Sequence, residues 1–130
     1  MEGVCIGFAD GAIRHTQNIA SAAWVIYSPT GQLVVSGGTC LGLTTNNLLE
    51  YNAVIELLCD AISNGILYIE VHLDSQLVVM KLNGEYRAHD PTILRYFLCV
   101  RLLERQFVYI NYEHILRNQN TTADALANYV

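Results

Sequence analysis

The sequence predicts an α/β fold: a mixed five-stranded sheet, built from an antiparallel meander followed by parallel strands, with helices on both faces. Three observations lead there. The chain has 130 residues, 52% of them hydrophobic and only 15% charged. That supplies one substantial core and leaves too little chain for two domains. The first third reads as three β-runs separated by short turns. Beyond it strand-like and helix-like runs alternate, giving the order β-β-β-α-β-α-α-β-α. Strands joined through helices should lie parallel, and the opening meander antiparallel. Residues 1–130 are therefore read as a single domain, with the strand order left open by topology alone.

Each element follows from local signals. Val4-Cys5-Ile6-Gly7-Phe8-Ala9 reads as a buried strand ending at Asp10-Gly11, and Ala20 to Tyr27 as a second strand. Ser28-Pro29-Thr30-Gly31 is a turn, with Pro at its second position and Gly at its end. Gln32 to Ser36 returns as a third strand. From Asn46 to Ser63 the period changes. Leu49, Ala53, Leu57 and Ala61 recur every fourth residue, an amphipathic helix that Asn64-Gly65 stops. Ile66 to Leu73 is rich in β-formers. Asp74-Ser75-Gln76 starts a short helix through Leu82, stopped by Asn83-Gly84. Asp90-Pro91 opens another, with Asp as N-cap and Pro at the first helical position, running to about Arg105. Phe107 to Tyr112 is a β-run, and Thr121 or Thr122 starts a last helix through Ala127.

Composition narrows the function classes. Seven basic residues against 12 acidic ones give a net charge of −5. This counts against a broad electropositive face, the usual source of non-specific nucleic-acid affinity, though not against a local basic stripe. No apolar run is long enough to cross a bilayer. Met1-Glu2-Gly3 lacks the start of a signal peptide, so an intracellular location, cytoplasmic or nuclear, is expected. No two of Cys5, Cys40, Cys59 and Cys99 form a C-x-x-C pair. Zinc is disfavoured, and four buried free thiols are expected.

The acidic residues carry the candidate chemistry through their positions. Asp10 ends the first strand and Asp74 the fourth. If those strands are parallel neighbours, both carboxylates emerge at one edge, where open α/β sheets place their sites. Glu50 lies in the first turn of the long helix and Asp124 near the start of the last. Each also has a plainer reading. Asp74 is a plausible N-cap, Asp10-Gly11 a turn pair, Glu50 a partner of the helix dipole, and Asp124 a solvated acid. If the four meet, they need cations to stay ionised together. Hard oxygen ligands favour Mg²⁺ or Mn²⁺. Two such ions about 3.5–4 Å apart form the clamp used for in-line phosphodiester displacement.

At these residues the chain resembles a known family, type 1 ribonuclease H, over essentially its whole length. Phe8-Ala9-Asp10-Gly11-Ala12 is similar to the family's first-strand motif. Thr44-Thr45-Asn46-Asn47-Leu48-Leu49-Glu50 resembles its Thr-x-Asn-Asn-x-x-Glu segment, and Leu73-Asp74-Ser75-Gln76 its Asp-Ser strand end. Asn120-Thr121-Thr122-Ala123-Asp124-Ala125-Leu126-Ala127 resembles its Asn-x-x-Ala-Asp-x-Leu-Ala helix. Gly84-Glu85-Tyr86-Arg87 with Asp90-Pro91 is similar to the subgroup of plants, archaea and retroelements. The resemblance implies a two-metal endonuclease for the RNA strand of RNA–DNA hybrids. Asp10, Glu50, Asp74 and Asp124 would hold the ions. Thr45 would hold a DNA-strand phosphate, while Asn46, Asn47 and Gln76 would face the minor groove. The implied partners are the hybrid and no membrane, with an adjacent polymerase domain of a parent polyprotein as a further candidate. A monomer is expected.

The chain also departs from the family pattern. Many members carry a mobile His on a glycine-containing loop before the last Asp. Here Glu113-His114-Ile115-Leu116-Arg117-Asn118 has no glycine, so His114 is read as ending the strand. The archaeal-like subgroup carries an Arg at the position of Arg117, and that resemblance makes Arg117 the stronger candidate for assisting catalysis, by aiding product departure or binding phosphate rather than by shuttling a proton, which a guanidinium does not do near neutral pH. Many members carry a basic, Trp-containing protrusion. Between Asp74 and Phe107 this chain offers only Lys81, Arg87, Arg95, Arg101 and Arg105, and its one Trp is Trp24. A 3′-to-5′ exonuclease of related fold would need Asp-x-Glu where Asp10-Gly11-Ala12 stands. The alternative from another class is a non-catalytic structural or nucleic-acid-binding domain of a retroelement polyprotein.

Overall fold

The computed structural model describes residues 3–14, 19–42, 44–84 and 90–123. Strands β1 (Cys5–Arg14), β2 (Ile19–Tyr27), β3 (Leu33–Leu41), β4 (Tyr68–Leu73) and β5 (Tyr109–His114) form one sheet ordered β3-β2-β1-β4-β5. β1, β2 and β3 pair antiparallel, whereas β4 lies parallel to both β1 and β5. This is the expected mixed sheet. The meander leaves an open edge at β1 and another at β3, and the chain returning through helix α1 (Asn46–Ser63) adds β4 to that of β1.

Strand ends differ from the sequence reading. β1 does not stop at Asp10-Gly11. Its pairing with β2 continues through Asp10↔Ala23 to Arg14↔Ile19, so cross-strand pairing overrides the local turn signal. β3 likewise runs on to Leu41 through Gly37-Gly38. A side chain at Gly37 would overlap the indole of Trp24 on the neighbouring strand, so the absence of a Cβ leaves room for that ring. β4 begins at Tyr68 and β5 spans Tyr109–His114, each starting two residues later than read.

The helices follow their caps. Thr45 caps α1, Ser75 caps α2 (Gln76–Leu82), and Asp90 caps α3 (Pro91–Glu104), with Pro91 in the first turn. Gly65 and Gly84 end the first two at φ of 72° and 79°, a conformation that favours glycine. The last helix is entered at residues 121–123, and its continuation to Ala127 lies outside the described residues. The Glu85–Arg87 part of the subgroup motif also lies outside them.

Most of the core lies between the sheet and α1. Ile69, Val71 and Leu73 alternate along β4 with half-buried Tyr68, Glu70 and His72. The buried set packs with Leu49, Val54, Leu57 and Leu58 of α1. The Trp24 indole N–H donates to Asp60 Oδ2 at 2.5 Å and ties β2 to α1. On the other face Phe8 meets His72 and Tyr27 edge-on, with centroids 5.1 and 6.0 Å apart. Arg101 of α3 donates to both oxygens of Glu104 and to the Leu82 carbonyl, and lies over the Phe97 ring. It is a structural tie rather than a solvated or gripping charge.

The expected burial of the cysteines fails. None of the four forms a disulfide, but Cys40, Cys59 and Cys99 are exposed and Cys5 is half-buried. The buried stripes of α1 and α3 run through Leu57, Leu58, Ala61 and Val100, which turns Cys59 and Cys99 outward. No described helix is long and apolar enough to cross a membrane.

Candidate active site

The site forms where β1 outlasts its parallel neighbour. The register between β1 and β4 ends at Ala9↔Leu73. Asp10 and Asp74 are the next residues on each chain, so two carboxylates leave the sheet side by side. Asp10 sits within β1, not at its end, and is 1% exposed. Asp74 is freed from capping because the neighbouring Ser75 takes that role, its hydroxyl accepting the Val78 N–H at 3.4 Å.

Helix α1 brings the third acid. Side chains at Gly7 and Gly11 would overlap Leu57 and Leu49 of α1, so these two glycines allow the helix to lie close on β1. Glu50 projects from the second turn, beyond the first turn expected for it, and is 8% exposed. Its Oε1 accepts the Gly11 N–H at 3.2 Å, while Asp10 Oδ1 accepts the same N–H at 2.8 Å. One carboxylate oxygen from each of Asp10, Glu50 and Asp74 lies within 4.8 Å of the others.

Electrostatics makes this cluster costly on its own. Burial, then the charge of Asp10, then that of Asp74, push the Glu50 carboxyl up to about 9, while the Gly11 N–H pulls the other way. Glu50 Oε2 and Asp74 Oδ2 are buried and accept no hydrogen bond. Buried carboxyl oxygens without donors, all hard ligands, suit a divalent cation such as Mg²⁺ or Mn²⁺. Among the described residues this is the one such group of three or more His, Cys, Asp or Glu. Asp124 lies outside the described residues.

The other candidates surround the cluster. Thr45 precedes α1 in extended conformation, its Oγ1 accepting the Leu48 N–H at 3.3 Å. Asn46 and Asn47 are the first residues of α1, and the residue that caps the helix is Thr45. Exposed Gln76 opens α2 just after Asp74. His114 ends β5 opposite Leu73, and Arg117 opens a 3₁₀ turn, Arg117–Gln119. Both are exposed on the edge that carries the acids, and among the described residues neither makes an ion pair with Glu50 or Asp74.

Asn120 is the residue that sequence reasoning passed over. It is 1% exposed and donates through Nδ2 to the Ala9 carbonyl at 3.0 Å, one residue before Asp10. It thereby fastens the start of the last helix to the strand that bears the site. It stands first in the Asn-x-x-Ala-Asp pattern, and that was its only signal.

Comparison with known proteins agrees with this geometry. A family model described as reverse transcriptase-like matches residues 8–130. A ribonuclease HI of Halobacterium salinarum is 39% identical over 121 residues, which cover 93% of this chain and 61% of that protein. The bifunctional protein Rv2228c of Mycobacterium tuberculosis is 35% identical over 121 residues, 92% of this chain but 33% of that protein. The chain thus spans less than two thirds of these curated relatives. The crystal structure of RNase H1 from the halophilic archaeon Halobacterium salinarum NRC-1 superposes with a TM-score of 0.90 at 38% identity, covering 97% of this chain and 96% of that one. LC11-RNase H1, solved in complex with RNA/DNA hybrid, superposes at 0.89 and 30% identity, covering 97% and 95%.

Proposed function

Since the chain belongs to the reverse transcriptase-like family, with type 1 ribonucleases H among its relatives, we propose that it is an endonuclease for the RNA strand of RNA–DNA hybrids. The observation that carries this reading is the convergence of Asp10, Glu50 and Asp74 within 4.8 Å, with two buried oxygens lacking donors. Asp10, Glu50 and Asp74, joined by Asp124, would hold two Mg²⁺ or Mn²⁺ ions. When bound, such ions activate water and stabilise the leaving oxygen of a phosphodiester.

The chain's own residues prepare that chemistry. The strand acids are fixed by the β1–β4 register and Glu50 by the Gly11 N–H, so the ligands are arranged before a cation arrives. Burial and the charges of Asp10 and Asp74 favour the protonated Glu50 carboxyl, so Glu50 would give up that proton on serving as a ligand. Thr45 donates its hydroxyl to a phosphate of the DNA strand. Asn46, Asn47 and Gln76 offer amides to base edges and 2′-hydroxyls in the minor groove, where a hybrid differs from either pure duplex. Arg117 binds the departing phosphate, with His114 as the weaker candidate for that step. Residues 1–130 act as one domain and as a monomer, with a polymerase domain as a candidate neighbour in a parent protein.

The test is incubation of an end-labelled hybrid with Mg²⁺ or Mn²⁺. RNA fragments with 5′-phosphate and 3′-hydroxyl ends, with single-stranded RNA and duplex DNA intact, are the expected result. A folded protein that binds hybrid and never cuts it would make this a non-catalytic domain.

A further inference from the structure

We propose that Asp90 sets the affinity for the hybrid by holding a negative charge in the cavity that Thr45 offers to a DNA-strand phosphate. The inference rests on the functional reading above. The N-terminal ends of α1 and α3 enclose a cavity of about 330 Å³, lined by Thr45, Asn47, Leu48, Asp90, Thr92 and Ile93. Thr45, Asn47 and Thr92 give it neutral donors. Among the described residues Asp90 is its one charged lining residue.

The Asp90 carboxylate is fixed in this wall. Its Oδ1 accepts the backbone N–H of Thr92 at 2.8 Å and of Ile93 at 3.2 Å. These N–H groups and the positive end of the helix dipole would favour an anionic ligand, and Asp90 already uses them. A phosphate entering beside Thr45 therefore meets a carboxylate in place of the free end of α3. Two anions sharing one small cavity repel, and the repulsion weakens with salt because Asp90 is exposed.

Asp90→Asn isolates the charge, since Asn caps a helix about as well as Asp. In steady-state cleavage of a labelled hybrid at low salt, KM should fall about 3- to 10-fold with kcat unchanged. The difference should shrink at high salt. An unchanged KM at low salt would overturn the proposal, as would a fall that persists equally at high salt, which would signal repacking. Fluorescence anisotropy supplies a second measurement, comparing hybrid binding by Asp10→Asn with that by the Asp10→Asn, Asp90→Asn double variant. The double variant should bind more tightly by the same factor, again only at low salt, and equal binding counts against the proposal. If the wild type cuts no hybrid, the functional reading fails, and the anisotropy comparison still decides the role of Asp90.

Discussion

Glu50 is a buried acid whose environment is far from water. Its carboxyl, pushed up from 4.5 to about 9, binds a proton more tightly in the folded than in the unfolded chain. Metal-free stability is then fullest below about pH 4.5 and is lost as pH climbs towards 9. Melting in EDTA should therefore drop by several degrees between pH 5 and 9, and Mg²⁺ should recover more at pH 8 than at pH 6. Glu50→Gln should flatten the EDTA profile, and a wild-type profile that is already flat would contradict the shift. Asp10→Asn removes both a proposed metal ligand and a repelling charge. Cleavage should fall more than about a hundredfold while metal-free melting rises slightly. Wild-type-like cleavage by the folded variant would remove Asp10 from the site. The identity of these acids was legible in the sequence through their motifs. The sequence did not reveal which neighbour caps α2, because Asp74 and Ser75 are both good caps and only the geometry assigns that role to Ser75.

At the scale of elements, helices were easier to read than strands because their ends are marked by local chemistry. Thr45, Ser75, Asp90, Gly65 and Gly84 act within one turn of their own positions. Strand ends depend on partners distant in sequence, so Asp10-Gly11 looked like a turn while β2 holds it in a ladder. The close approach of α1 to β1 is the element contact on which the site depends. Gly11→Ala should push Leu49 and the Glu50 turn away, costing about 1–3 kcal/mol in denaturant unfolding. It should also cost more activity than Gly42→Ala, which meets no atom within 4 Å. Equal effects of the two changes would mean that α1 shifts without disturbing the acids. Asn120→Ala, which removes the donor to the Ala9 carbonyl, should cost about 1–3 kcal/mol by the same measurement.

For the whole molecule, the deciding quantity is charge. The net charge is −5, and the basic residues are few. Arg101, one of five basic residues between Asp74 and Phe107, is committed to Glu104, Leu82 and Phe97. Composition alone showed the shortage of cations, but it could not show that one of the few is tied up internally. Phosphate contacts should therefore be few. The logarithmic dependence of affinity on salt, whose slope scales with the phosphates neutralised, should be shallow. Weak binding also means a high KM set by encounter, with the carboxylate cluster proposed for the chemical step untouched. A basic hybrid-binding module fused to the chain raises the local substrate concentration, so KM should fall by about tenfold or more with kcat nearly constant. Arg117→Ala should show the opposite pattern if it acts on the departing phosphate: a lower kcat with little change in KM. Tight binding by the isolated chain with a steep salt slope would instead mean that Arg95 and Arg105, both exposed on or beside α3, form a grip with the substrate. Charge reversal at those two positions would then abolish the slope, and the fusion would bring no gain.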